Sequence, residues 1–121
     1  MDAIAVLLAA GTMLLASAAL LGFVQERYRD RPQRFAEWRV VHAGGTAGAV
    51  QLLALAAIWE RLAGPGAASI ALACTLATVA WAFFRGPLAR ALGRPRLARG
   101  LNVAGAVLAV PGYLALPFAL F

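Results

Sequence analysis

AIAVLLAAGTMLLASAALLGFV, residues 3–24, carries no charged side chain from one end to the other. Wound as a helix at 1.5 Å per residue it is roughly 33 Å long, matching a bilayer hydrocarbon core of about 30 Å. The rest of the chain repeats the pattern. Its 121 residues are 63% hydrophobic and 13% charged, with a mean hydropathy of +0.79. A soluble domain of this size buries only about 60–70% of its unfolded surface, too little to hide so much apolar area. Three further runs, at about 40–59, 67–84 and 101–121, are each long enough to cross a membrane. The sequence therefore predicts an all-α integral membrane four-helix bundle, one transmembrane domain over residues 1–121. The first run opens on Asp2 rather than on a basic segment and stays apolar too long for a signal peptide.

All eleven basic residues are arginine, and their placement predicts orientation. Arg27, Arg29, Arg31, Arg34 and Arg39 lie between the first and second spans, and Arg85, Arg90, Arg94, Arg96 and Arg99 lie between the third and fourth. Arg61 alone marks the opposite side. By the positive-inside rule both Arg-rich loops are cytoplasmic and both chain ends are outside, in a multi-pass protein of a bacterial cell membrane. Short basic loops of this kind face anionic membrane lipid, so the net charge of +6 points to no nucleic acid. Cys74 is the only cysteine, which excludes an internal disulfide.

The connections shape the bundle. Gly64-Pro65-Gly66 predicts a tight turn that makes the second and third spans antiparallel neighbours. Pro32 breaks any continuous helix after the first span, and Gly86-Pro87, Gly93 and Arg94-Pro95 predict a structured cap without a long helix.

No Asp, Glu, Lys or Arg lies between the membrane interfaces. That speaks against a proton-coupled exporter, which needs an intramembrane carboxylate, and against catalysis by a carboxylate pair. The best candidate is His42, the only histidine. Trp38, His42, Gly45 and Ala49 fall at helical spacing on one face, with Arg39 on a neighbouring face nearer water. An imidazole able to bind iron, glycines that clear space for a flat ring and an arginine for propionates together suit haem b. The same residues also suit a histidine bonded to a carbonyl or a lipid head group, and Gly44-x-x-x-Gly48 suits a close helix crossing. Asn102 and Tyr113 are polar positions in the fourth span, and Trp81-Ala82-Phe83-Phe84 is an aromatic helix end.

Taken in order, these segments resemble the styrene oxide isomerases, small four-span membrane enzymes. The resemblance rests on Trp38…His42-Ala43-Gly44, on Ser69-Ile70…Val79…Phe83-Phe84, and on Leu108-Ala109-Val110-Pro111-Gly112-Tyr113-Leu114. It implies a homo-oligomer, a trimer, with haem b at the subunit interfaces and His42 as the axial metal ligand. Trp38, Arg39, Gly45 and Gly48 are then the cofactor-binding neighbours. It also implies that ferric haem acts as a Lewis acid on a small hydrophobic epoxide, opening it to a carbocation that a hydride shift converts to an aldehyde. Where the family has pocket asparagines this chain has Gly48 and Thr78, and where it has a tyrosine this chain has Ala82. Replacement donors would have to come from Thr78, Asn102 or Tyr113. The alternatives are a haem protein without isomerase activity and a structural or partner-binding membrane protein.

Overall fold

The computed structural model describes residues 2–118, with side chains over 2–116. Among the described residues there are four helices and no strand: α1 (Ala3–Glu26), α2 (Pro32–Leu62), α3 (Ala67–Ala91) and α4 (Pro95–Phe118). All four are long and apolar enough to cross a membrane. The last three residues of the expected fourth span lie outside the described residues.

Helix ends follow from local chemistry. The Asp2 carboxylate accepts the Ala5 amide at 2.7 Å and caps α1. Pro32 opens α2 at a position where its missing N–H is no loss. Gly64 (φ +59°) and Gly66 (φ +129°) carry the chain from α2 to α3 in a backbone region that suits glycine. That turn is closed by the Trp59 indole N–H donating to Ser69 Oγ at 2.7 Å, a bond buried in the bundle. Antiparallel packing of α2 on α3 is as expected.

The third connection differs from the expected cap. α3 runs through Pro87 to Ala91, and only residues 92–94 separate it from α4. Proline disfavours a helical preceding residue through a clash with that residue's Cβ, and Gly86 has none. The stop comes later, at Gly93 (φ +76°). There Arg94 N–H donates to Ala89 O at 2.8 Å and Gly93 N–H to Arg90 O at 2.9 Å, the paired bonds of a Schellman motif. Arg34 braces the same end, donating at 2.9 Å both to Glu37 and to the terminal Ala91 carbonyl of α3.

Burial has helical period. On α1 it falls at Ala3, Leu7, Gly11, Leu14 and Ala18, and on α2 at Trp38, Val41, Gly45, Ala49, Leu52, Ala56 and Trp59. These stripes close on Ala73, Leu76, Ala80 and Phe84 of α3, so the first three helices share one core. Small residues set the spacing, as in other membrane bundles where backbones approach closely. A Cβ on Gly45 would lie 2.7 Å from the Phe84 ring and 2.8 Å from Ala18 Cβ. The close crossing thus runs through Gly45 and Gly48 rather than through the Gly44-x-x-x-Gly48 pair, because Gly44 meets nothing within 4 Å.

α4 stands apart. It packs along α3 and scarcely meets the other helices. Its buried positions, Ala98, Gly105 and Gly112, recur every seven residues in a single narrow stripe. Gly105 lies on Ala82 and Phe83, and Gly112 on Thr75 and Leu76. A groove therefore opens between α2 and α4, floored by α3. Large apolar side chains point outward, Phe23 at 74% exposure and Val107 at 65% among them, a surface that suits lipid and not water.

Candidate functional site

His42 lies one turn beyond Trp38 on the side of α2 that faces α1. Its Nδ1 is 2.7 Å from the carbonyl oxygen of Ala18. Since a carbonyl only accepts, Nδ1 carries the proton and donates, which leaves the lone pair on Nε2. The approach depends on Gly22, one turn on from Ala18, where a Cβ would stand 3.1 Å from Cε1 and 3.2 Å from Nδ1. The ring is half-buried in the α1–α2 cleft, and Thr46 donates to the His42 carbonyl at 2.9 Å.

Trp38 is nearly fully buried and stacks parallel on Tyr28 with centroids 6.3 Å apart. The Arg34 guanidinium covers the other ring, 5.4 Å from the Tyr28 centroid. Trp38 Nε1 and Gln25 Oε1 are, among the described residues, the two buried side-chain polar atoms without a hydrogen-bond partner. One is a donor and the other an acceptor, both near the cleft that holds His42. Arg39 is exposed on the neighbouring face.

The expected face of Trp38, His42, Gly45 and Ala49 exists, but Gly45 is filled from within the chain by Phe84 and Ala18. Gly48 is half-buried, with Leu14 and Ala80 nearest to its missing Cβ, and it also borders the α2–α4 groove. That groove encloses about 390 Å³, with Gly44, Gly48, Gln51, Phe83 and Tyr113 among its walls. His42 and Gln51 are nine residues apart, which places them about 180° apart around α2 and about 13 Å apart along it. Within one chain the imidazole and the groove are on opposite sides of the helix.

The three polar positions expected to supply donors are scattered. Thr78 is exposed and donates back to the Cys74 carbonyl at 2.8 Å, away from the α2–α4 groove on the other side of α3. Asn102 occupies the space where Gly86 lacks a side chain, at the Arg-rich end beside Arg90 and Arg99. Only Tyr113 reaches the groove, where Gln51 faces its hydroxyl. Sequence reasoning passed over Gln51, although a carboxamide in the middle of an apolar span is itself a signal. It passed over Ala18 and Gly22 too, because nothing in their types shows that they meet an imidazole.

The sequence model of the styrene oxide isomerase family matches residues 4–121, essentially the whole chain. No curated protein and no solved structure matches.

Proposed function

Because the chain belongs to the styrene oxide isomerase family, we propose that it isomerises a small hydrophobic epoxide to a carbonyl compound, using haem b held by His42. The observation that carries this reading is the state of the one imidazole in a chain matched by that family from residue 4 to residue 121. With Nδ1–H committed to a backbone carbonyl, the ring is oriented and its lone pair is on Nε2, the arrangement that iron-ligating histidines use. When bound, ferric haem supplies a Lewis acid for the epoxide oxygen.

The chain's own residues have separate tasks. Gly22 lets the ring sit close enough to α1 for its bond to Ala18. Trp38 walls the cleft one turn away, and Arg39, exposed beside it, would pair with the propionates. Gly45 belongs to the protein core, and Gly48 keeps the groove wall low. The apolar groove, free of carboxylates, suits a substrate that arrives from the bilayer and excludes the water that would hydrolyse a reactive cation.

His42 and the groove face opposite ways, so a site that uses both joins two copies of the chain. Repeating that head-to-tail contact closes a ring, and we take the ring to be a trimer. The Arg-rich loops are cytoplasmic in this reading and contact anionic lipid of a bacterial cell membrane.

One observation favours a second reading, a haem protein without isomerase activity. Gly48, Thr78 and Ala82 offer the groove no polar side chain, since Gly48 has none and Thr78 and Ala82 lie on the other side of α3. The experiment is an absorption spectrum of detergent-purified protein made with ample haem, beside His42→Ala, followed by incubation with aryl epoxides. A Soret band lost in His42→Ala, with aldehyde formed by the parent, is the expected result. Absence of the band overturns both readings, and a band without aldehyde from any epoxide leaves the second.

A further inference from the structure

Gln51 has no obvious structural reason to lie in the middle of an apolar helix. The hydrocarbon core offers no water, and an unpaired amide N–H there is costly. Its side chain is exposed on the open groove rather than sunk between helices. Opposite it, on the one helix that α2 scarcely touches, stands the Tyr113 hydroxyl. Every other groove wall is Gly44, Ala47, Gly48, Val79, Ala80 or Phe83, none with a polar side chain.

Counting donors decides what the pair can hold. A glutamine amide has two N–H donors and a tyrosine has one O–H. Even if the two bond to each other, only one donor is used and two remain. Both remaining donors belong to a groove of about 390 Å³ that is otherwise apolar and is widened by Gly44. The complementary molecule is small and hydrophobic and offers an acceptor oxygen, a composition that an epoxide has.

We propose that Gln51 and Tyr113 form a two-donor clamp that binds and orients the epoxide oxygen in the groove between α2, α3 and α4. The clamp rests on the isomerase reading and gives the groove the polar groups that Gly48 does not supply. Gln51 is the main donor because its amide keeps at least one free N–H in either arrangement. Tyr113, on the facing wall of the groove, adds its O–H. Charge builds on the oxygen as the C–O bond breaks, so the two donors strengthen as the reaction proceeds.

The test uses haem-loaded protein in detergent with Gln51→Leu and Tyr113→Phe, which keep side-chain bulk and remove the donors. Conversion of styrene oxide to phenylacetaldehyde gives kcat and KM, the Soret band gives haem content, and melting gives stability. Binding of 4-fluorostyrene oxide is followed separately by fluorine NMR, with phenylcyclopropane as a competitor of the same shape lacking the oxygen. The expected result for Gln51→Leu is a loss of about 10- to 100-fold in kcat/KM with an unchanged Soret band. Tyr113→Phe loses about 3- to 10-fold. Epoxide binding weakens in both variants, while phenylcyclopropane competes as before.

Kinetics and epoxide binding within twofold of the parent in Gln51→Leu overturn the clamp. So does a drop in melting temperature with unchanged kinetics, which makes the pair a tie between α2 and α4 only. Should the parent form no aldehyde, the isomerase reading fails and the NMR arm decides the clamp alone. Equal epoxide affinity of parent and Gln51→Leu then rejects it.

Discussion

Replacing Gly22 with alanine separates the orientation of His42 from the stability of the bundle. The new methyl would stand 3.1 Å from Cε1 and 3.2 Å from Nδ1, whereas carbon atoms rest at about 3.5–4.0 Å. The ring must retreat by about 0.4–0.9 Å. The methyl and the Ala18 carbonyl are both on α1, so the retreat also stretches the 2.7 Å bond from Nδ1. At the upper end it passes the roughly 3.2 Å limit of a sound N–H···O bond. Losing that bond costs about 0.5–1.5 kcal/mol, while glycine to alanine inside a helix returns about 0.5–1 kcal/mol. The two nearly cancel, so melting in detergent should move little. Haem affinity should fall about 10- to 100-fold, the usual effect of removing a ligand's own anchoring partner. Titration of haem into apo-protein, read at the Soret band, measures this, and Gly100→Ala is the control, since nothing lies within 4 Å of that position. Parental haem affinity in Gly22→Ala, with an unshifted band, would falsify the role given to the Ala18 bond.

Three further outcomes are expected. Gly45→Ala presses a methyl onto the Phe84 ring and the rigid Ala18 Cβ, an overpacking that should cost about 1–3 kcal/mol; Gly44→Ala, one position away, should melt no lower than the parent. Equal melting of the two variants would contradict the assigned crossing. Ser69→Ala leaves the buried Trp59 N–H without its acceptor and should destabilise by about 1–3 kcal/mol, whereas Trp59→Phe with Ser69→Ala should recover part of that loss in a double-mutant cycle. Arg34→Ala removes contacts to Glu37, Tyr28 and the end of α3; because the side chain is 43% exposed, its salt bridge adds little. The measurable effect should be faster amide exchange over residues 88–94, and unchanged exchange there counts against the brace.

Much of the fold is legible in the residues because a bilayer admits so few solutions. Backbone groups in hydrocarbon must be satisfied within the segment, so four long apolar runs mean four helices. The short Gly64-Pro65-Gly66 link left α2 and α3 no arrangement but antiparallel. The proline rule misled at Pro87, where Gly86 has no Cβ to add to the clash that normally ends a helix and the stop moves to Gly93. At the site, periodicity placed Trp38, His42, Gly45 and Ala49 on one face, and they are there. Periodicity says nothing about which neighbour covers that face. Gly45 serves Phe84 and Ala18, and of three polar positions expected to line one pocket only Tyr113 does so.

By itself the sequence determined the membrane class, the number of spans, the family resemblance and the place of the one histidine along the second span. Each of these depends on residue type, run length or order along the chain. Only the tertiary structure decided which imidazole nitrogen is tied to Ala18, which glycines are filled, and that Gln51 stands across a groove from Tyr113. Those facts depend on how far α4 leans from α2 and how closely α1 approaches α2. Helix spacing is set jointly by side chains on different helices, small ones at Gly22, Gly45 and Gly105 among them, and no single stretch of chain encodes it.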